Sequence, residues 1–301
     1  MLKKKIIFVL IVLALICAIV LVGIKKNGNI KDNINVTTSF YPMYIASINL
    51  LDGIGEIEVN NLTQKSTGCV HDYTLTPDEM IKLSTADVFI INGNGMEAFL
   101  DKVMKNYPDI NIVDTSTGVK YIEDEHEINP HTFVSIDRYI QQVENLKSGL
   151  VTLLPEYEDK ITSNASEYVN KLEELKKYAH EKLDRFSGEK LVALHESFEY
   201  FASDYGINVM AVIEEEEGIS ASANEIKNII YYAKKNGVSA IVVDKDSNLK
   251  TANVISEETN IPCVTFDTTI YGDFDKNSYV DAMYKNIDNI CSVLEEKEYG
   301  V

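Results

Sequence analysis

Short apolar runs alternate with amphipathic stretches along most of the chain after residue 33. The runs are rich in β-branched residues, and the stretches between them repeat apolar residues every three or four positions. This alternation is typical of βα units and predicts parallel sheets. The predicted strands are Ile34–Thr38, Ile57–Leu62, Val88–Asn92, Ile110–Val113, Leu191–Leu194, Val209–Ile213, Ala240–Val243 and Cys263–Phe266. The predicted helices lie near Met43–Leu51, Pro77–Leu83, Glu97–Tyr107, Phe198–Asp204, Ser222–Lys235, Leu249–Glu258 and Ser278–Glu296.

A longer amphipathic pattern separates the two sets of strands. Pro155 suits the first turn of a helix, apolar residues recur every three or four positions as far as Phe186, and Gly188 suits the end. The pattern predicts a helix of about 30 residues, roughly 45 Å long. We therefore predict an α/β fold with two lobes, each a parallel β-sheet flanked by helices, joined by one long rigid helix. The predicted divisions are 1–26 (signal or membrane anchor), 27–33 (linker), 34–150 (N-terminal lobe), 151–188 (connecting helix) and 189–301 (C-terminal lobe).

The N-terminal segment has the composition of a membrane or signal sequence and not of a globular domain. Residues 6–24 form an unbroken apolar run, and Lys3, Lys4 and Lys5 precede it. Its length is close to the ~20 residues that cross a bilayer. We predict an uncleaved N-terminal helix that anchors the protein in the cell membrane, with the body outside the cell; a cleaved signal peptide is the alternative.

Charge is distributed unevenly along the chain. The formal net charge is -19, yet the first 26 residues hold five lysines and no acid, which leaves 23 basic and 47 acidic residues in the remainder. A field of this sign attracts cations and repels nucleic acid, although solubility alone also explains it. We expect no nucleic-acid partner.

The cysteines do not form a disulfide framework. Of the four, Cys17 falls in the apolar run, and the remaining three cannot all pair within one chain. The sequence leaves a bridge between Cys263 and Cys291 open.

Polar side chains capable of binding a metal follow several of the predicted strands. His195, Asp244 and Asp267 each come directly after a strand, and His71 and His131 lie in loops that follow strands of the first lobe. Ligands of open parallel sheets bind at the carboxyl ends of the strands. Two such edges facing each other would form a cleft with histidines on both walls.

The residue types in this cleft favour Zn²⁺. Three imidazoles and one carboxylate make a tetrahedral set, which leaves no open position for a reacting water and so favours binding over hydrolysis. Nitrogen-rich sites prefer Zn²⁺ to Ca²⁺ or Mg²⁺. Because the chain has no H-E-x-x-H or C-x-x-C motif, spacing alone leaves hydrogen-bonded structural histidines as an alternative.

Four segments, in order, resemble those of the zinc/manganese solute-binding proteins of ABC transporters. The segments are GCVHDYTLTPDEMIKLSTADVFIINGNGME (68–97), NPHTFVSI (129–136), LVALHESFEYFASDYGI (191–207) and VVDKDSNLKTANVISEETNIPCVTFD (242–267). The resemblance implies two α/β lobes joined by a rigid helix. It also implies four metal ligands: His71, His131, His195 and Asp267. Histidine at the third position implies zinc, with manganese as the alternative.

The resemblance implies a transport role rather than an enzyme. The protein would carry one Zn²⁺ to an ABC permease and, through it, to the ATPase, and we expect it to act as a monomer. Two other functions stay open: an extracellular zinc-dependent hydrolase using a base such as Glu196, and a surface adhesin with a structural metal. The family's His-rich loop is absent, since only His126 stands among four acids at residues 123–127.

Overall fold

The N-terminal lobe is built on a four-stranded sheet with strand order β2-β1-β3-β4. The computed structural model describes residues 33–63, 73–123, 128–213, 221–245 and 249–299. β3 is buried along its whole length and pairs in parallel with β1 and β4, as expected for a central strand covered on both faces. The elements are β1 (Ile34–Thr38), α1 (Tyr41–Leu50), β2 (Ile57–Asn61), α2 (Pro77–Thr85), β3 (Val88–Ile91), α3 (Leu100–Asn106) and β4 (Asn111–Asp114).

The C-terminal lobe repeats this topology. Its sheet has the order β10-β9-β7-β8, so in both lobes the first strand lies between the second and the third. All three pairs in this sheet are parallel. From β7 the chain adds β8 on one side and then β9 and β10 on the other side, so the order of the strands switches between β7 and β9. Such a switch point opens a crevice at the carboxyl ends of the strands. The elements are β7 (Lys190–Ala193), α6 (Phe198–Asp204), β8 (Asn208–Val212), α7 (Ala223–Asn236), β9 (Ala240–Asp244), α8 (Lys250–Thr259), β10 (Cys263–Phe266) and α9 (Ser278–Tyr299).

A long helix connects the lobes, which confirms the predicted fold class. Helix α5 (Glu158–Leu183) has 26 residues, and short 3-10 turns at Pro155–Tyr157 and Asp184–Phe186 extend it. It packs against α1 and α4 (Ile136–Leu153) from the N-terminal lobe and against α9 from the C-terminal lobe. Its buried stripe follows the predicted spacing, because one face of the helix is covered along its length: Ile161, Asn164, Ala165, Tyr168, Leu172, Leu175, Ala179 and Leu183.

Helix α4 (Ile136–Leu153) is an addition to the predicted elements. Ser135 begins it, because the Ser135 hydroxyl accepts a hydrogen bond from the Arg138 amide at 3.2 Å. Before α4 the chain forms a small antiparallel hairpin of β5 (Ile122–Glu123) and β6 (Ile128–Asn129), and then a 3-10 turn at Thr132–Val134.

Aromatic side chains join the two lobes beside α5. The rings of Tyr139 and Tyr279 stack with centroids 3.9 Å apart, and both residues are fully buried. The Tyr279 hydroxyl also donates to the Phe133 carbonyl at 2.8 Å. Because a buried hydroxyl must keep its partner, these contacts hold α9 against the N-terminal lobe.

Several predictions concern residues outside the described part of the chain. The apolar run 6–24, His71 and most of the acidic segment around His126 lie there. Within the described ranges, no helix is both long and apolar enough to cross a bilayer. The domain boundaries given above stay predictions.

The disulfide left open by the sequence does not form, since Cys263 and Cys291 are both free thiols. Cys263 Sγ lies against the Ala252 carbonyl on α8, at 3.5 Å. Cys291 Sγ lies against the Lys182 carbonyl at the end of α5, at 3.7 Å. The two sulfur atoms thus contact different helices.

Candidate metal centre

His131 is a fully buried residue directly after the β5–β6 hairpin. Its Nδ1 lies 2.9 Å from Asn129 Oδ1 and 3.1 Å from Glu196 Oε1. The Asn129 amide nitrogen donates to the Glu196 carbonyl at 3.0 Å and to Glu199 Oε2 at 3.2 Å, so its oxygen faces the imidazole. Because both neighbours of Nδ1 are acceptors, Nδ1 carries the proton and Nε2 of the neutral ring presents its lone pair. Metal-binding histidines are held in this way.

His195 follows β7 at the switch point of the C-terminal sheet and is partly buried. Its Nδ1 lies 2.9 Å from the Ser197 hydroxyl and 3.1 Å from the Ser197 amide nitrogen. The amide can only donate, whereas the hydroxyl can donate or accept. Nδ1 therefore accepts from the amide, and the neutral ring carries its proton on Nε2. To bind a metal through Nε2, the ring must transfer this proton to Nδ1, where the Ser197 hydroxyl can accept it.

The rings of His131 and His195 are neighbours across the lobes. Their centroids are 4.9 Å apart and their planes are at 89°. With a Zn–N distance of about 2.1 Å, two imidazoles bound to one tetrahedral ion have centroids roughly 5 Å apart. The observed separation matches that value. Phe133 lies beside His131, with ring centroids 6.0 Å apart, and contributes an apolar wall.

Asp267 lies at the carboxyl end of β10 and is engaged by a lysine. Lys245 Nζ is 2.6 Å from Asp267 Oδ2, and the Thr269 amide donates to Oδ1 at 2.8 Å. Asp244 lies next to it, at the end of β9, and accepts a hydrogen bond from the Thr268 hydroxyl. This contact links the end of β9 to the residue after Asp267.

The four predicted ligands are therefore only partly brought together. His131 and His195 are adjacent, Asp267 is paired with Lys245, and His71 lies outside the described residues. Within the part of the chain that the structure describes, no three His, Cys, Asp or Glu side chains are arranged to hold a metal ion.

Sequence reasoning missed the residues that orient His131. Asn129 and Glu196 each stand next to a candidate ligand in the sequence, Asn129 two residues before His131 and Glu196 directly after His195. Their positions beside the histidines were the available sign that they could contact the metal centre. Which ring nitrogen they contact depends on how the two lobes meet.

Comparison with known proteins identifies the family. The family model for the zinc-uptake complex component A, periplasmic (ZnuA), matches residues 36–293. The chain belongs to this family. It is a family of transport solute-binding proteins, not of enzymes.

Curated relatives within the family are named for zinc or for manganese. The zinc-binding lipoprotein AdcA of Streptococcus pneumoniae (strain ATCC BAA-255 / R6) is 26% identical over 322 residues, covering 95% of this chain and 61% of AdcA. The manganese-binding lipoprotein MntA of Halalkalibacterium halodurans is 24% identical over 306 residues, covering 96% of this chain and 98% of MntA. This chain thus spans 61% of the length of AdcA.

Solved structures share the fold. The solute-binding protein FpvC of Pseudomonas aeruginosa, in complex with Ni²⁺, superposes with a TM-score of 0.79 at 24% identity, covering 88% of this chain and 98% of FpvC. A second FpvC structure, in complex with Mn²⁺, matches with the same TM-score.

A buried carboxylate supports the N-terminal wall of this family member. Glu97 accepts hydrogen bonds from the Ser39 hydroxyl at 2.7 Å and from the amides of Asn92 and Gly93 at 2.8 and 3.0 Å. Burial raises the pKa of Glu97 to about 7, against the opposing effect of these donors. The Asn92 side chain in turn donates to the Pro130 carbonyl at 3.0 Å, directly before His131. The network therefore links the end of β3 to the backbone that carries His131.

Gly93 is required in this network. Its φ is +81°, and a Cβ there would collide with the Asp114 and Ser116 side chains. Only glycine lets this amide reach Glu97.

Hydrogen bonds also join the lobes around the histidine pair. The Tyr200 hydroxyl donates to the Asn129 carbonyl at 2.5 Å and accepts from the Ile122 amide at 2.8 Å. Arg138 pairs with Asp204 at 2.7 Å and lies over the Tyr200 ring. The hairpin that leads to His131 is thus attached to α6.

Proposed function

We propose that this protein captures one Zn²⁺ ion outside the cytoplasm and delivers it to an ABC permease, which works with its ATPase. The proposed ligands are His71, His131, His195 and Asp267. The observation that carries the proposal is the pair of imidazoles with centroids 4.9 Å apart, of which His131 has its Nδ1 proton held by Asn129 and Glu196.

The chemistry of the donors supports zinc as the ion. Imidazole nitrogens suit Zn²⁺, whereas Mn²⁺ takes more oxygen ligands. AdcA is named for zinc and MntA for manganese, so family membership is compatible with either metal. His195 favours zinc because it supplies nitrogen where a carboxylate would supply oxygen.

The contacts of Glu196 argue against a hydrolase. A general base must reach the proton of a metal-bound water. The Glu196 carboxylate is 3.1 Å from His131 Nδ1, where it orients the ring. With four protein ligands, the proposed centre also has no position for a substrate.

Delivery requires that the protein lies close to its permease at the membrane. We propose that the protein acts as a monomer, held at the outer face of the cell membrane by its N-terminal segment. The aromatic and hydrogen-bonded contacts between the lobes argue against wide hinge opening during release.

Metal binding by single-histidine variants tests the proposal. The full-length chain, purified without chelator, is dialysed against Zn²⁺ and its metal content is measured. The unaltered protein is expected to hold one ion, and His131→Ala and His195→Ala are each expected to lose tight binding. His195 is only partly buried, so His195→Ala keeps the test valid if His131→Ala does not fold.

His180→Ala is the matched control, because His180 lies on α5 and pairs with Asp184 at 2.8 Å. It should bind like the unaltered protein. Full zinc affinity in both His131→Ala and His195→Ala would overturn the assignment. If Mn²⁺ but not Zn²⁺ bound tightly, the manganese alternative would replace zinc.

A further inference from the structure

Lys245 and Asp267 are neighbours because β9 and β10 run in parallel with Asp244 opposite Phe266. The next residue of each strand is therefore Lys245 and Asp267. The Lys245 amide donates to the Phe266 carbonyl at 2.9 Å, and its Nζ lies 2.6 Å from Asp267 Oδ2. Hydrogen bonds between two charged groups are roughly twice as strong as neutral ones. The Lys245 ammonium group is thus hydrogen-bonded to one carboxylate oxygen of Asp267, a proposed metal ligand.

Asp267 is fixed from its other sides. Its Oδ1 accepts from the Thr269 amide at 2.8 Å. Its backbone amide donates to Asn286 Oδ1 at 2.7 Å, and its carbonyl accepts from Asn286 Nδ2 at 2.8 Å. Lys245, by contrast, holds Asp267 through the end of a long flexible side chain that is 36% exposed. Of the two charges, the ammonium is the one that can move away.

Lys245 also has another group close by to which it can turn. The Tyr271 ring centroid is 5.6 Å from Nζ, within the range of a cation–π contact. The ring face therefore stays available to the ammonium when it leaves the carboxylate. Solvent, which reaches the lysine, offers a further partner.

We propose that Lys245 is a tethered cation that competes with the metal ion for Asp267. This rests on the proposed function, in which Asp267 is a ligand. In the metal-free protein Lys245 balances the Asp267 charge. An arriving divalent ion displaces the ammonium, because two cations on one carboxylate repel each other. When the ion leaves, Lys245 returns. The lysine thereby lowers affinity and assists release.

Zinc affinity of Lys245 variants tests this competition. The dissociation constant of the full-length chain for Zn²⁺ is measured by competition with a chromophoric chelator. Lys245→Met keeps the length of the side chain and removes the charge, so it should bind Zn²⁺ about tenfold more tightly or better. Lys245→Arg keeps the charge and should stay near the unaltered protein. Affinity that is unchanged or weaker in Lys245→Met would overturn the proposal, as would equal tightening in Lys245→Arg.

Two controls isolate the cause. Lys176 is paired with Asp137 at 2.5 Å on the surface of α5, so Lys176→Met removes a comparable ion pair and should leave zinc affinity unchanged. In an Asp267→Asn background the gain from Lys245→Met should vanish, since the contested charge is gone. A gain that persisted there, or that Lys176→Met reproduced, would contradict competition for Asp267. These outcomes are distinct from failure of the proposed function, which His131→Ala and His195→Ala report.

Discussion

At His131, two acceptors meet one ring nitrogen. Asn129 Oδ1 and Glu196 Oε1 come from different lobes, so the tautomer that exposes Nε2 is set where the lobes meet. A ligand that is already oriented loses less freedom when it binds the ion. The contribution of these neighbours to affinity can therefore be measured one residue at a time.

Asn129→Ala should lower zinc affinity by about 10- to 100-fold, the range seen when the partner of a metal-binding histidine is removed. The stoichiometry should stay at one ion, because no ligand is lost. Competition with a chelator measures the change. Asn236→Ala is the control, since the Asn236 side chain donates to the Tyr232 carbonyl within the same helix, α7. Equal affinities for both variants would contradict the role given to Asn129.

Glu97 predicts a dependence of stability on pH. Its pKa is about 7 in the folded protein against 4.5 for the free side chain, so between these values the folded protein binds a proton that the unfolded chain has released. The contribution of Glu97 to the free energy of unfolding is therefore fully present below pH 4.5. Between pH 4.5 and about 7 it decreases by about 1.4 kcal/mol per pH unit.

Denaturant unfolding of the metal-free protein from pH 5 to 9 measures this contribution. Glu97→Gln should remove that part of the slope below pH 7, even if the variant is less stable throughout because its amide cannot accept every donor. The curves of the two proteins should run parallel above pH 8. Parallel curves below pH 7 would show that Glu97 does not titrate there.

Among the elements, α5 is the one whose sequence pattern is most complete. Apolar residues every three or four positions predicted its buried face, and the capping signals at its ends predicted its extent to within the flanking 3-10 turns. Helix α4 has the same spacing through Ile136, Tyr139, Val143, Leu146 and Leu150. The buried face of α4 also contains Gln142, whose side chain donates to Asn92 Oδ1. This polar residue interrupts the apolar pattern from which a buried helix face is predicted.

Leu172→Ala should reduce the free energy of unfolding by about 2–5 kcal/mol, because Leu172 on α5 is fully buried and the change leaves a cavity. Lys177→Ala on the same helix should change it by less than about 0.5 kcal/mol, since that side chain is 78% exposed. Denaturant titration of both variants gives the comparison. Similar losses for the two would mean that α5 does not bury its predicted face.

Across the whole molecule, the sequence was sufficient for the α/β fold with two lobes. It predicted His131 and His195 on facing walls of a cleft, and their rings are neighbours in the structure, whereas the four-ligand centre stays a prediction. The sequence was not sufficient for Lys245 beside Asp267, because that contact depends on the register between β9 and β10. It was not sufficient for the contacts of Asn129 and Glu196 with one ring nitrogen. Those contacts depend on how the lobes pack, to which Tyr139, Tyr279 and Tyr200 contribute.

The coordination sphere of the bound ion tests the central claim most directly. X-ray absorption at the zinc edge, on the full-length chain loaded with one equivalent of Zn²⁺, counts the imidazole and oxygen ligands. We predict three imidazole nitrogens and one carboxylate oxygen at about 2.0–2.1 Å, and one imidazole fewer in His195→Ala. A spectrum with fewer than three imidazoles, or one unchanged in both His131→Ala and His195→Ala, would contradict the proposed metal centre.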